Sequence, residues 1–276
     1  MDADKKRELA RAANQIRMGV IEAVYNAGAG HPGGSLSIAD VLSYLYFQEM
    51  NIDPKNPKMD GRDRLVLSKG HCSPGLYAAL ANRGFFPVED LKTFRQYGSY
   101  LQGHPDMKTV PGVDMSTGSL GLGISAACGM ALGAGITSGN YRVYAILGDG
   151  ELEEGQVWEA AMFAGHYRLA NLCAWVDFNG MQIDGRLEEV VSPCPIPDKF
   201  RAFNWNVIEI GAHDFNAIEG AYAAARACTD KPTAIVASST KGAGVSFMEN
   251  AVDWHGKAPN REQYEQAMAE LVGRII

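Results

Sequence analysis

Gly148-Asp149-Gly150 closes one apolar run of the chain, and Asn179, thirty positions beyond Asp149, closes another. A carboxylate and an amide oxygen are hard donors that suit a divalent cation, and such a cation can in turn hold a diphosphate. The glycines beside Asp149 would let phosphate oxygens approach the backbone. A helix opening after Gly150 would add free N–H groups and the positive end of its dipole. Gly-Asp-Gly alone also fits an ordinary turn, and the Asn at crossover distance is what gives it chemical content. Four of the six histidines, His31, His71, His104 and His255, lie in Gly- or Pro-rich stretches. Imidazoles gathered round a crevice can hydrogen-bond hydroxyl groups and move protons near neutral pH. A four-His metal site is the competing reading, but none of the four has the short spacing typical of zinc. Gly118-Ser119-Leu120-Gly121-Leu122-Gly123 reads either as a phosphate loop ahead of a helix or as a ligand-free Gly-rich turn. Its third glycine comes too soon for the dinucleotide fingerprint.

The elements that must position these groups follow from the pattern. Tyr141–Leu147 and Asn171–Phe178 read as buried strands, with the Ala-rich helix Glu154–Tyr167 between them. In a parallel crossover both strand tips open on one crevice. Upstream, Asp4–Ala27 has helical periodicity and runs into Gly28–Gly34, a stretch ill suited to regular structure. Ser35 or Ser37 would cap a helix from Ile38 to Glu49; Arg64–Ser68 predicts a strand, Ser73–Arg83 a helix and Asp90–Phe94 a short helix. After a loop from Tyr97 to Gly118, a small-residue helix is expected over Ile124–Ile136. Asp184–Pro197 reads as loop, Asn206–Ile210 and Thr233–Ser238 as strands, Asn216–Ala227 as a helix, and Arg261 to about Val272 as a closing helix. Strands alternate with helices throughout, which predicts an α/β fold: a mostly parallel sheet with helices on both faces. No linker or repeat divides residues 1–276, so one domain is expected.

A net charge of −7 gives no reason to expect nucleic acid as a partner. The five cysteines, odd in number and without a Cys-x-x-Cys pair, read as reduced core residues of a cytoplasmic protein. The charged N-terminus carries no visible signal peptide, and no apolar run is long enough to span a membrane.

With these motifs together, the chain resembles the amino-terminal half of transketolases, the thiamine diphosphate enzymes, from Gly30-His31-Pro32-Gly33 to His255-Gly256. The resemblance implies the thiamine diphosphate-binding fold. It implies metal ligation (Mg²⁺, Ca²⁺ or Mn²⁺) by Asp149, Asn179 and the carbonyl of Met181, with Gly150 at the diphosphate. Gly118 and Leu120 would touch the cofactor, as would Lys241 and His255. His71 and His104 match histidines near the diphosphate, the thiazolium or donor hydroxyls, and His31 and His255 match histidines at the substrate's reacting end. Glu154 matches a carboxylate at a subunit contact. Ser119 and Leu122 depart from the Thr-Gly-Pro-Leu-Gly-Gln-Gly form common in the family. Family members also carry a pyrimidine-binding domain, with the glutamate that activates the cofactor, and a third domain, and this chain stops before both. The expectation is therefore one subunit of a split transketolase, two of each chain, transferring a two-carbon ketol unit between sugar phosphates. The alternatives are a split relative acting on a sulfo- or branched sugar, and a non-catalytic cofactor-binding module.

Overall fold

The computed structural model describes residues 1–137, 139–183 and 185–274. Helix α1 (Ala3–Ala27) starts where the Asp2 side chain accepts the Lys5 N–H at 2.8 Å, and stops at Gly28, whose φ of 62° is a left-handed cap. Leu9, Ala13, Ile16, Val20 and Val24 make its buried stripe. Then come α2 (Pro32–Ser37), α3 (Ala39–Tyr44), strand β1 (Arg64–Leu67), α4 (Ser73–Arg83) and α5 (Leu122–Ile136). The crossover expected from the sequence is present as β2 (Val143–Gly148), α6 (Gly155–His166) and β3 (Leu172–Phe178). A two-stranded hairpin, β4 (Met181–Gln182) with β5 (Gly185–Arg186), precedes α7 (Ile196–Ala202), β6 (Asn206–Gly211), α8 (Phe215–Ala227), β7 (Thr233–Ser238) and α9 (Arg261–Val272).

Five strands pair in the order β1-β2-β3-β7-β6, every pair parallel, so all five carboxyl ends point to one side. The pleat sorts the side chains into two cores. Tyr144, Ile146, Cys173, Trp175, Ile235 and Ala237 face the layer that holds α1, α3, α4, α8 and α9. Val143, Ala145, Leu147, Ala174, Val176 and Val236 face α5, α6 and α7. Both faces are covered, which is why these strands read as continuous apolar runs rather than alternating ones. Each fully buried large aliphatic or Phe side chain contributes about 1.5–3 kcal/mol.

The structure departs from the sequence reading in several places. Pro32–Ser37 is helical despite Gly33 and Gly34, and the segment before Met50 is broken into α3 and a π turn, Leu45–Glu49. The two glycines are there for packing: a Cβ on Gly33 would come within 2.8 Å of the Trp254 carbonyl, and one on Gly34 within 2.8 Å of Cys72 Sγ. The stretch taken as loop from Asp184, itself outside the described residues, contains β5 and the start of α7, where Pro197 occupies a position that needs no N–H. The segment expected as a short helix near Asp90 is a 3₁₀ turn, Val88–Thr93. Of the cysteines, Cys72, Cys128 and Cys173 are buried as expected, but Cys194 is exposed and Cys228 partly so. No helix among the described residues is long and apolar enough to cross a membrane.

Candidate functional site

The tips of β2 and β3 meet as the sequence predicts. Gly148 pairs with Asp177 at the last rung of the ladder, so Asp149 and Asn179 emerge side by side. Asp149 Oδ2 accepts the backbone N–H groups of Asn179 and Gly180 at 2.8 and 2.6 Å, and Oδ1 accepts that of Gly150 at 2.9 Å. Burial, and then the charge of Asp177, push the Asp149 carboxyl up to about 6. A buried carboxylate held so high gains from a cation beside it, which is what a metal-ligand role asks of it. The Asn179 Oδ1 lies 3.1 Å from the Met181 N–H. These residues line a cavity of about 210 Å³ with Leu120, His71, Lys241 and His255. The expected helix at Gly150 is displaced. Asp149 caps a 3₁₀ turn over Gly150–Glu153, and α6 begins only at Gly155, with exposed Glu154 as its N-cap. Gly150 nonetheless stays tight, since a Cβ there would lie 2.9 Å from that of Gln182.

Three of the four loop histidines converge. The rings of His31, His71 and His255 lie 5.1, 5.2 and 5.3 Å apart pairwise. His31 and His71 are brought by the starts of α2 and of the turn before α4, and His255 by the 3₁₀ turn Val252–His255. Burial first, and then neighbouring positive or potentially positive groups, lower His31 and His71 to about 4 and His255 to about 3. All three are neutral at pH 7. The Lys241 Nζ sits 3.1 Å from His255 Nδ1, where an ammonium can only donate, so the His255 proton resides on Nε2. His104 stands slightly apart and exposed: its ring packs on Gly118, where an added Cβ would approach within 3.0 Å. Gly118, at φ 156°, brings Thr117–Leu120 beneath that ring. The four histidines do not gather as a metal site, and among the described residues no group of three or more His, Cys, Asp or Glu is placed to hold an ion.

Three buried charged residues escaped the sequence reading. Lys69 follows β1 and pairs with Asp177 at 2.6 Å, the two side chains 2% and 0% exposed. Burial opposes ionisation of both, but each charge more than offsets it for the other: the Asp177 carboxyl is held below the usual range and the Lys69 ammonium above it. Glu151 bridges three segments, accepting from Ser68 Oγ, the Gly121 N–H and the Gly148 N–H. The signal for Asp177 was present, as a lone carboxylate inside an otherwise apolar strand. Nothing local marks Lys69 or Glu151.

The family model of the transketolase thiamine diphosphate binding domain matches residues 9–273. The chain belongs to that family. It is 47% identical over 269 residues to the 6-deoxy-6-sulfo-D-fructose transketolase subunit SqwG of Clostridium sp. (strain MSTE9), covering 98% of each chain. It is 42% identical over 268 residues to an apulose-4-phosphate transketolase subunit of Phocaeicola vulgatus, covering 97% of this chain and 94% of that one. The crystal structure of Pichia stipitis transketolase in complex with sedoheptulose 7-phosphate superposes with a TM-score of 0.92 at 34% identity, covering 96% of this chain but 41% of that one. Family membership makes this a thiamine diphosphate-binding component of a transferase.

Proposed function

We propose that this chain is the cofactor-anchoring subunit of a split transketolase. It transfers a two-carbon ketol unit from a ketose phosphate to an aldose phosphate when assembled with a partner chain carrying the pyrimidine-binding and C-terminal domains, two of each, in the cytoplasm. The observation that carries the reading is the adjacency of Asp149 and Asn179 at the tips of parallel strands, with the neutral imidazoles of His71 and His255 lining the same cavity and His31 packed against both. Asp149, Asn179 and the Met181 carbonyl would hold Mg²⁺ (or Ca²⁺ or Mn²⁺) against the diphosphate, with Gly118, Leu120, Gly150 and Lys241 round the cofactor. Bound thiamine diphosphate supplies the nucleophilic carbon and the electron sink.

The chain's own groups then bind and orient the sugar. His255 donates from Nε2 because Lys241 occupies Nδ1. His31, His71 and His104 offer a donor and an acceptor each in the neutral form, which suits hydroxyl groups of a ketose better than a row of cations would. Helices α5 and α6 leave Leu122, Ile136, Met162, Phe163 and Tyr167 exposed, which supports a docked partner there, with Glu154 at its rim.

A second reading concerns the substrate. Two relatives matched along nearly their whole length are named for a sulfo-sugar and for apulose 4-phosphate, which favours a modified sugar over the common pentose phosphates. Mixing tests both. The chain plus its partner, with thiamine diphosphate and Mg²⁺, is expected to show ketol transfer that neither chain shows alone. Comparing kcat/KM for 6-deoxy-6-sulfofructose, apulose 4-phosphate and fructose 6-phosphate ranks the substrates. Full turnover by this chain alone would refute the split arrangement.

A further inference from the structure

Asn179 has an amide whose two ends are nearly the same shape but opposite in function: one donates and the other accepts. For the oxygen to serve as a ligand, something must fix which end faces the cavity. Asp177, two residues earlier at the tip of β3, does this. Its Oδ2 accepts the Asn179 Nδ2–H at 3.3 Å, and an ionised carboxylate can accept only, so the amide nitrogen is held on that side; on the other, Oδ1 accepts the Met181 N–H at 3.1 Å and keeps its second lone pair.

Asp177 is in turn fixed from three further segments. Ser37 Oγ at the end of α2 donates to Oδ2 at 2.7 Å, Lys69 Nζ beyond β1 donates to the same oxygen at 2.6 Å, and Ser239 Oγ just past β7 donates to Oδ1 at 2.5 Å. Lys69 also donates to the Gly34 carbonyl at 2.9 Å. A carboxylate fully removed from water, with four side-chain donors from four segments, cannot rotate without breaking several bonds at once. The 3.3 Å bond to Asn179 is the longest of the four, so Asp177 is anchored by the others and acts on Asn179 rather than being held by it.

We propose that Lys69, Ser37 and Ser239 immobilise Asp177, and that Asp177 is the positioning residue that orients the Asn179 amide so that its oxygen is available to the cation. The inference rests on the reading of Asn179 as a metal ligand. It assigns the affinity of the site to residues that never touch the ion, a role outer-shell groups commonly fill.

The test is a double-mutant cycle, read by Mn²⁺ titration in the presence of thiamine diphosphate, followed by electron paramagnetic resonance on the assembled enzyme. Asp177→Leu paired with Lys69→Met removes the acceptor without stranding a buried ammonium and leaves the net charge unchanged, and is expected to weaken Mn²⁺ binding roughly 10–100-fold. A carboxylate at position 179 presents an oxygen whichever way it turns, so in the Asn179→Asp background the same pair of substitutions is expected to cost far less affinity, a strongly non-additive cycle. A purely structural Asp177 predicts equal losses in the two backgrounds. If the paired variant does not fold, Ser37→Ala with Ser239→Ala, which keeps the ion pair but loosens Asp177, carries the same comparison. Equal losses in the two backgrounds, or wild-type affinity with Asn179 in place, overturns the proposal. A wild-type assembly that takes up no Mn²⁺ with thiamine diphosphate overturns both this inference and the cofactor reading beneath it.

Discussion

A neutral imidazole exposes one donor and one acceptor, and the chain sets which nitrogen does which at His255 by placing Lys241 against Nδ1. The same crowding that keeps His31, His71 and His255 neutral makes the fold acid-sensitive. Unfolded imidazoles take up protons near pH 6.5, whereas in place His31 and His71 wait until about 4 and His255 until about 3. Between those values the unfolded chain binds more protons, so stability falls as pH drops from about 6.5 toward 4 and levels off below the folded values. Melting temperature followed from pH 7 to 4.5 should therefore fall less steeply for His255→Gln than for wild type; parallel curves would mean that the imidazole is not held neutral by the fold. Asp149→Ala should abolish Mg²⁺-dependent retention of thiamine diphosphate in the assembled enzyme, measured by equilibrium dialysis, and should also lower the apo melting temperature, because the Gly150, Asn179 and Gly180 N–H groups lose their acceptor. These residues were legible in the sequence because each sits in a short motif or loop whose composition already excludes a core role. Lys69 and Glu151 were not, and Asp177 was marked only as a lone carboxylate in an apolar strand, because the partners that fix them from other segments lie 30 to 140 positions away, as with Asp177 and Ser37 or Glu151 and Gly121.

Strands β2 and β3 could be read almost to the residue, since a both-sides-buried strand leaves an uninterrupted apolar run. Helix α2 could not, because glycine propensity argues against a helix and only its close packing on the Trp254 carbonyl and Cys72 Sγ explains the glycines. The same logic of close approach predicts a fragile contact elsewhere. A Cβ on Gly165, in α6, would lie 1.8 Å from the Phe203 carbonyl just past α7. Gly165→Ala must push the two helices apart, an overpacking cost of about 1–3 kcal/mol. The melting temperature of the chain should fall by roughly 2–4 °C for each kcal/mol, while Mn²⁺ binding by the proposed ligands Asp149 and Asn179, at the opposite end of the sheet, is expected to stay unchanged. A loss of affinity matching the loss of stability would show that the strand tips are not insulated from that contact.

At the scale of the molecule, the alternation of strands and helices was enough to give the parallel sheet, but not the order of its strands. That order has a consequence for how the chain comes to be folded. Strand β7, made after β6, inserts between β3 and β6 and is the piece that joins the two halves of the sheet. During synthesis, β1, β2 and β3 can assemble as soon as they emerge, yet β3 must keep an open flank until residues 233–238 arrive. Ser239, one of the bonds that anchor Asp177, arrives with them. The nascent chain thus carries an unsealed hydrogen-bonding edge beside its own cofactor-binding ground while residues 179–232 are made, and such edges are where non-native pairing begins. Rapid translation up to residue 238, or a chaperone acting before residue 233, would guard the step on which the whole site depends.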